Sequence, residues 1–202
     1  MTALARELQR LGEPLLDEQL RHPTVVGIGR GDLDRAVFSR WLEQDYLYLL
    51  DYTRVFSRLA WQAPDEHLGE LVDLAHATYR EELSLHRELS RPFGADFAAA
   101  RKSPQCTAYT SFLLDSAAEY GVGLAALLPC MWGYSQLGQR LAQNPPEDEH
   151  YRRWVDTYAD PAFAALAERC AQMLNEASPE PSLARAAFLT AMQHELNFWD
   201  AA

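Results

Sequence analysis

The chain reads as an all-α, single-domain helical bundle, and three features of the sequence predict it. Apolar residues recur at three- and four-residue spacing almost throughout. No segment shows the sustained alternation of a half-buried strand, and β-branched residues are few. Pro and Gly fall where they would punctuate helices rather than hairpins. At 202 residues, one domain spanning 1–202 can close around a full hydrophobic core.

The elements follow in order. A first helix runs from about Ala3 to Arg21, stops before Pro23, and carries Pro14 as a kink. Val25 to Gly31 (VVGIGRG) is expected to be a loop. Asp32 or Asp34 then caps a long helix that ends before Pro64. The next helix opens at Asp65 and reaches Arg91, where Pro92 and Gly94 end it. After a short piece around Phe97 to Lys102, Ser103-Pro104 begins a helix to about Tyr120, and Gly121 and Gly123 are expected to break the chain. The segment Leu124 to Gln143 is the most apolar helix, closed by Asn144-Pro145-Pro146. Helices over Glu147–Tyr158, Pro161–Glu176 and Pro181–Trp199 complete the chain.

The net charge of −11 argues against nucleic acid as a partner, because phosphate contacts need clustered Lys and Arg. No apolar run approaches the roughly 20 residues that span a bilayer, so no membrane role is expected. The first residues, MTALARELQRLGEPLLDEQL, are charged throughout and lack the apolar stretch of a signal peptide, which points to the cytoplasm. Three widely spaced cysteines form neither a disulfide framework nor a zinc knuckle.

Several polar residues fall on apolar faces. Asp45 lies in the stripe Phe38, Trp41, Leu42, Leu49, Tyr52, Phe56, three residues before Tyr48. It either reaches solvent at the edge of that face or meets a partner or ligand, since a lone buried carboxylate is costly. In GLAALLPCMWGYSQLGQRL, Pro129 sits inside a helical pattern, Cys130 follows it, and Tyr134 is one turn on. This suits a pocket wall, although a cysteine in an apolar helix also serves as a small inert hydrophobe. Glu195 lies between Met192 and Trp199. Apolar surroundings would push its pKa up toward that of a general acid, and the alternative is a solvated edge residue. Tyr109, Tyr158 and Trp132 are polar-tipped aromatics of the core or its rim. Glu82 and His86, at i and i+4, have metal-ligand spacing but no second pair, and read better as a helix-surface ion pair. No metal or cofactor is expected.

These segments together resemble the thiaminase II (TenA) family, whose fold is haem-oxygenase-like. The resemblance covers essentially the whole chain: HPTVVGIGRGDL, FSRWLEQDYLYLLDYTRVF, TYREELSLHREL, SP followed by YTSFLL, LAALLPCMWGY, YRRWVDTYADPAF and HELNFWDAA occur in the family's order. It implies Cys130 as nucleophile, Glu195 as proton donor, and Tyr48 as the tyrosine that tunes the cysteine. It implies Asp45 as the carboxylate that holds an aminopyrimidine, with Tyr109, Tyr134 and Tyr158 around the substrate. The implied reaction hydrolyses 5-aminomethyl-4-amino-2-methylpyrimidine, or thiamin, to 4-amino-5-hydroxymethyl-2-methylpyrimidine for thiamin salvage, in a homotetramer and without a cofactor. Met131 and Gly133 depart from the bulkier residues expected around the cysteine, and Tyr46 and Leu47 vary within the QDxxY segment. The chain stops just after FWDAA, which leaves out the pocket closure that a longer tail would give. Two rival readings remain: a non-catalytic pyrimidine-binding or regulatory member, and a haem oxygenase with His22 as its candidate ligand.

Overall fold

The protein, described here over residues 3–201 of a computed structural model, contains ten α-helices and no strand among those residues. They are α1 (Leu4–Arg21), α2 (Pro23–Arg30), α3 (Arg35–Gln62), α4 (Asp65–Ala77), α5 (Leu83–Ser90), α6 (Pro104–Ser116), α7 (Tyr120–Leu141), α8 (Glu149–Ala159), α9 (Pro161–Ala177) and α10 (Pro181–Phe198). No helix among the described residues is long and apolar enough to cross a membrane.

Four of the ten helix starts are marked by short polar side chains that accept from free backbone N–H groups. Asp34 accepts from Ala36 and Val37, Ser103 from Cys106, Asp148 from His150, and Asp160 from Ala162. The apolar helix α7 lies centrally and packs against α8, α9 and α10, while α3 packs against α4 and α6. Trp41, Trp154 and Trp199 are fully buried between these layers. Truncating any of them to alanine would cost about 3–5 kcal/mol.

Three expectations are corrected. The segment VVGIGRG is helical, not a loop: it forms most of α2, with Pro23 in the first turn and the His22 imidazole accepting from Thr24 N–H. Val25 and Ile28 are fully buried, so tertiary packing overrides the poor propensity of two glycines. Gly121 and Gly123 do not break the chain, because the Glu119 carboxylate caps α7 upstream of them, accepting from Gly121 and Val122. Gly123 is needed for close approach, as a Cβ there would lie 2.6 Å from Leu59 Cδ2 and 2.9 Å from Ala117 Cα. The single helix expected over Asp65–Arg91 is interrupted by a π-helical turn at Thr78–Glu82. One extra residue in a turn rotates everything downstream by roughly 100°. That rotation matters for the site.

The piece around Phe97–Lys102 forms turns, not a helix. Asp96 accepts from Ala98 and Ala99, and Gln44 of α3 clamps both Arg101 and Ser103. Phe97 stacks on Tyr46, with ring centroids 4.3 Å apart.

Candidate active site

Helices α3, α4, α5, α7, α8 and α9, together with the π-helical turn, line a cavity of about 310 Å³. This is the small end of the range for ligand sites and suits a single-ring compound. Asp45, Tyr48, Cys130, Tyr134 and Tyr158 all line it. Five of the seven residues expected at the site therefore share one cavity. Tyr109 and Glu195 do not line it; they form a buried pair outside its wall, the Tyr109 hydroxyl donating to Glu195 Oε1 at 2.6 Å.

The spacing of α3 explains the wall. Asp45, Tyr48, Leu49, Tyr52 and Phe56 recur at three and four residues and face the cavity as one stripe. Opposite them, Cys130 and Tyr134 lie one turn apart on α7. Tyr158 of α8 meets Tyr134 with centroids 4.9 Å apart. It can come that close because Gly138 of α7 touches the α8 backbone, where a Cβ would lie 2.4 Å from the Tyr158 carbonyl carbon.

Asp45 is 5% exposed and has found a partner. Its Oδ2 is 2.5 Å from His86 Nε2, and His86 Nδ1 donates to the Glu82 carbonyl oxygen at 3.0 Å. Burial opposes charge on this imidazole, but the Asp45 carboxylate, followed by the Glu82 groups, raises its pKa overall. His86 is thus an imidazolium donating from both nitrogens. The Glu82/His86 pair is not the surface ion pair that the spacing suggested: His86 is 1% exposed, and the π-helical turn has rotated both residues inward.

The acid pair differs. Glu195 is 2% exposed and has only a phenol for company. Burial raises its pKa to about 8; the Tyr109 hydrogen bond pulls down and the Asp45 charge adds to the rise. At neutral pH it holds a proton. Burial, then the Glu195 charge, pushes the Cys130 thiol well above its ordinary value, and contact with the Tyr48 hydroxyl works in the other direction. That contact falls short of hydrogen-bond geometry, which leaves the buried Tyr48 hydroxyl without a partner among the described residues. Cys130 lies within the field of a proton-bearing carboxyl and a free phenol, so the site can add a thiol to an electron-poor ring and move the displaced proton.

Tyr52, Glu82 and His86 were not singled out as site residues from sequence. Tyr52 donates to the Leu127 carbonyl and lines the cavity, and its place on the Asp45 stripe was the available signal. Of the departures, Met131 lines the cavity, whereas Tyr46, Leu47 and Gly133 do not. His22 spends both ring nitrogens, on Thr24 N–H and on Asp200, and is absent from the cavity wall, so it does not offer a haem ligand there.

Fold and site together define an all-α protein with an aromatic cavity that Cys130 lines and a buried Tyr109–Glu195 pair outside its wall. The chain belongs to the TENA/THI-4/PQQC family, whose sequence profile matches residues 11–202. It is 33% identical to an aminopyrimidine aminohydrolase of Halalkalibacterium halodurans, across 99% of this chain and 95% of that one. An aminopyrimidine aminohydrolase of Bacillus subtilis is 32% identical, across 88% of this chain and 80% of that protein. A solved TenA homologue from P. horikoshii OT3 superposes with a TM-score of 0.93 at 25% identity, covering 98% of this chain and 97% of that chain.

Proposed function

We propose that the protein is a hydrolase of C–N bonds in thiamin salvage. It converts 5-aminomethyl-4-amino-2-methylpyrimidine to 4-amino-5-hydroxymethyl-2-methylpyrimidine and ammonia, and cleaves thiamin less well. The observation that carries this reading is one cavity that brings Cys130 together with Asp45, Tyr48, Tyr134 and Tyr158, with the proton-bearing Glu195 buried beyond its wall. The names of the relatives above support the same reaction class.

In this reading the planar ring lies among Tyr48, Tyr134 and Tyr158, and Asp45 accepts from its amino edge. The Cys130 sulfur adds to a ring carbon, and the thiol proton ends on a ring nitrogen through Glu195. The electron-rich adduct expels the amine from the neighbouring methylene as ammonia. Water adds to that methylene, and loss of the Cys130 sulfur restores the aromatic ring. Atoms balance as amine plus water giving alcohol plus ammonia. Thiamin would lose its thiazole by the same route.

The preference for the amine follows from leaving groups. A thiazolium departs readily by itself, whereas an amine departs only when protonated, and a cavity wall that carries carboxyl groups and no Lys or Arg favours that protonated form. Assaying purified protein on both compounds should give a higher kcat/KM for the aminomethylpyrimidine. A tenfold preference for thiamin, about 1.4 kcal/mol in transition-state binding, would make the protein a thiaminase instead. Binding without turnover of either would leave a non-catalytic pyrimidine binder.

A homotetramer and a cytoplasmic location go with this reading. The first is supported by outward-facing Trp61, Leu68 and Val72, with Trp61 89% exposed. The second is supported by three free thiols.

A further inference from the structure

The cavity wall contains three carboxyl groups, of Asp45, Glu81 and Glu82, and no Lys or Arg. Asp45 is committed to His86, and Glu81 is exposed at the rim. Glu82 is half-buried, ends the π-helical turn, and its carboxyl has no hydrogen-bond partner among the described residues. Turns of this kind recur where a helix is deformed to serve a site.

Building on the function proposed above, we propose that Glu82 is the substrate contact for the leaving amine, its carboxylate receiving the ammonium carried by the methylene on the pyrimidine. The other groups around it are Asp45 and Tyr48 on α3, His86 on α5, Cys130 on α7 and Tyr158 on α8. Of these only His86 is cationic, and Asp45 engages it. An arriving ammonium therefore meets a wall of net negative charge, on which Glu81 stands exposed at the rim and Glu82 is the unengaged carboxyl that is half-buried. Position agrees with this role: the Glu82 charge acts on Cys130 more strongly than that of Asp45 does, and it also acts on Tyr158. Burial holds the empty carboxyl near a pKa of about 7, with His86 pulling down and Asp45 pushing up, so a cationic ligand can turn it fully to carboxylate. An amine held as ammonium leaves as neutral ammonia, with no further proton needed at that nitrogen. The alcohol product carries no charge there and is released from this contact.

The test compares two ligands that differ only at that nitrogen, in a Cys130→Ser background that prevents turnover. Calorimetry gives the Kd of 5-aminomethyl-4-amino-2-methylpyrimidine and of its hydroxymethyl counterpart, with and without Glu82→Gln. We expect Glu82→Gln to weaken amine binding about tenfold or more and to change alcohol binding less than twofold. Equal losses for both ligands, or no loss for the amine, would overturn the assignment of Glu82 while leaving the proposed function standing. Failure of the Cys130→Ser protein itself to bind either ligand would instead sink the proposed function, and this contact with it. Thermal melting of Glu82→Gln confirms that the comparison is made on folded protein.

Discussion

Two carboxyl groups about the cavity are nearly equally buried and behave oppositely. On the wall, Asp45 is joined to an imidazolium, while beyond the cavity surface Glu195 is joined to a neutral phenol. His86 engages one Asp45 oxygen, which in the proposed reaction leaves the other for the ligand. A phenol can donate one hydrogen bond but cannot neutralise charge, so Glu195 keeps its proton up to a pKa of about 8. In the proposed reaction the neighbour, and not burial alone, sets proton donation to Glu195 and ligand binding to Asp45.

The largest effect separates the cysteines and so tests whether chemistry belongs to the Glu195 side. Cys130→Ser should lower kcat by orders of magnitude, whereas Cys106→Ser and Cys170→Ser should leave it nearly intact. Cys106 and Cys170 are both fully buried away from the cavity, and burial pushes each thiol up to about 12. Steady-state kinetics decide, and a Cys130→Ser protein with full activity removes the nucleophile from the account.

Glu195→Gln should come next, lowering kcat by about 10²–10⁴-fold with little change in product affinity. The same variant should gain stability over a definite pH range. Above the ordinary pKa of 4.5 the unfolded chain ionises Glu195, whereas the folded protein holds the proton until about 8. Each pH unit in that window therefore costs the wild-type fold about 1.4 kcal/mol, and Gln is free of this cost. The melting temperature of Glu195→Gln should exceed that of wild type by a margin that widens from pH 5 to 8 and is flat beyond. A margin independent of pH would show that Glu195 does not carry a proton into the folded state.

Asp45→Asn should have a smaller and different effect. It removes a charged acceptor and the counter-ion of His86, so affinity for 4-amino-5-hydroxymethyl-2-methylpyrimidine should fall by about 1.5–3 kcal/mol, with kcat less affected. Calorimetry on the folded variant measures it. Unchanged affinity would reduce Asp45 to a structural role and erase the contrast between the two acids.

The legibility of this site in the sequence follows the same divide. Asp45, Cys130, Tyr134 and Glu195 stand out because each is polar or reactive on a face whose 3.6-residue period is otherwise apolar. Glu82 and His86 do not, because i,i+4 acid–base spacing is also the signature of an exposed pair. What turns them inward is the extra residue of the Thr78–Glu82 turn, which periodicity carried across that segment cannot register. The helical state of VVGIGRG was hidden for a related reason: its stability comes from burial of Val25 and Ile28 and from the His22 cap, not from local propensity. Helix count along most of the chain was legible, since capping residues mark the starts and Pro marks several ends.

The protonation of Glu195 is the claim on which the contrast rests, and infrared difference spectroscopy between wild type and Glu195→Gln reads it directly. Near pH 6 the wild type should show the C=O stretch of a protonated carboxyl that the variant lacks. The band should disappear on titration with a midpoint near 8, the value to which burial raises this group. A carboxylate signal at pH 6, with no protonated band lost in Glu195→Gln, would contradict the account.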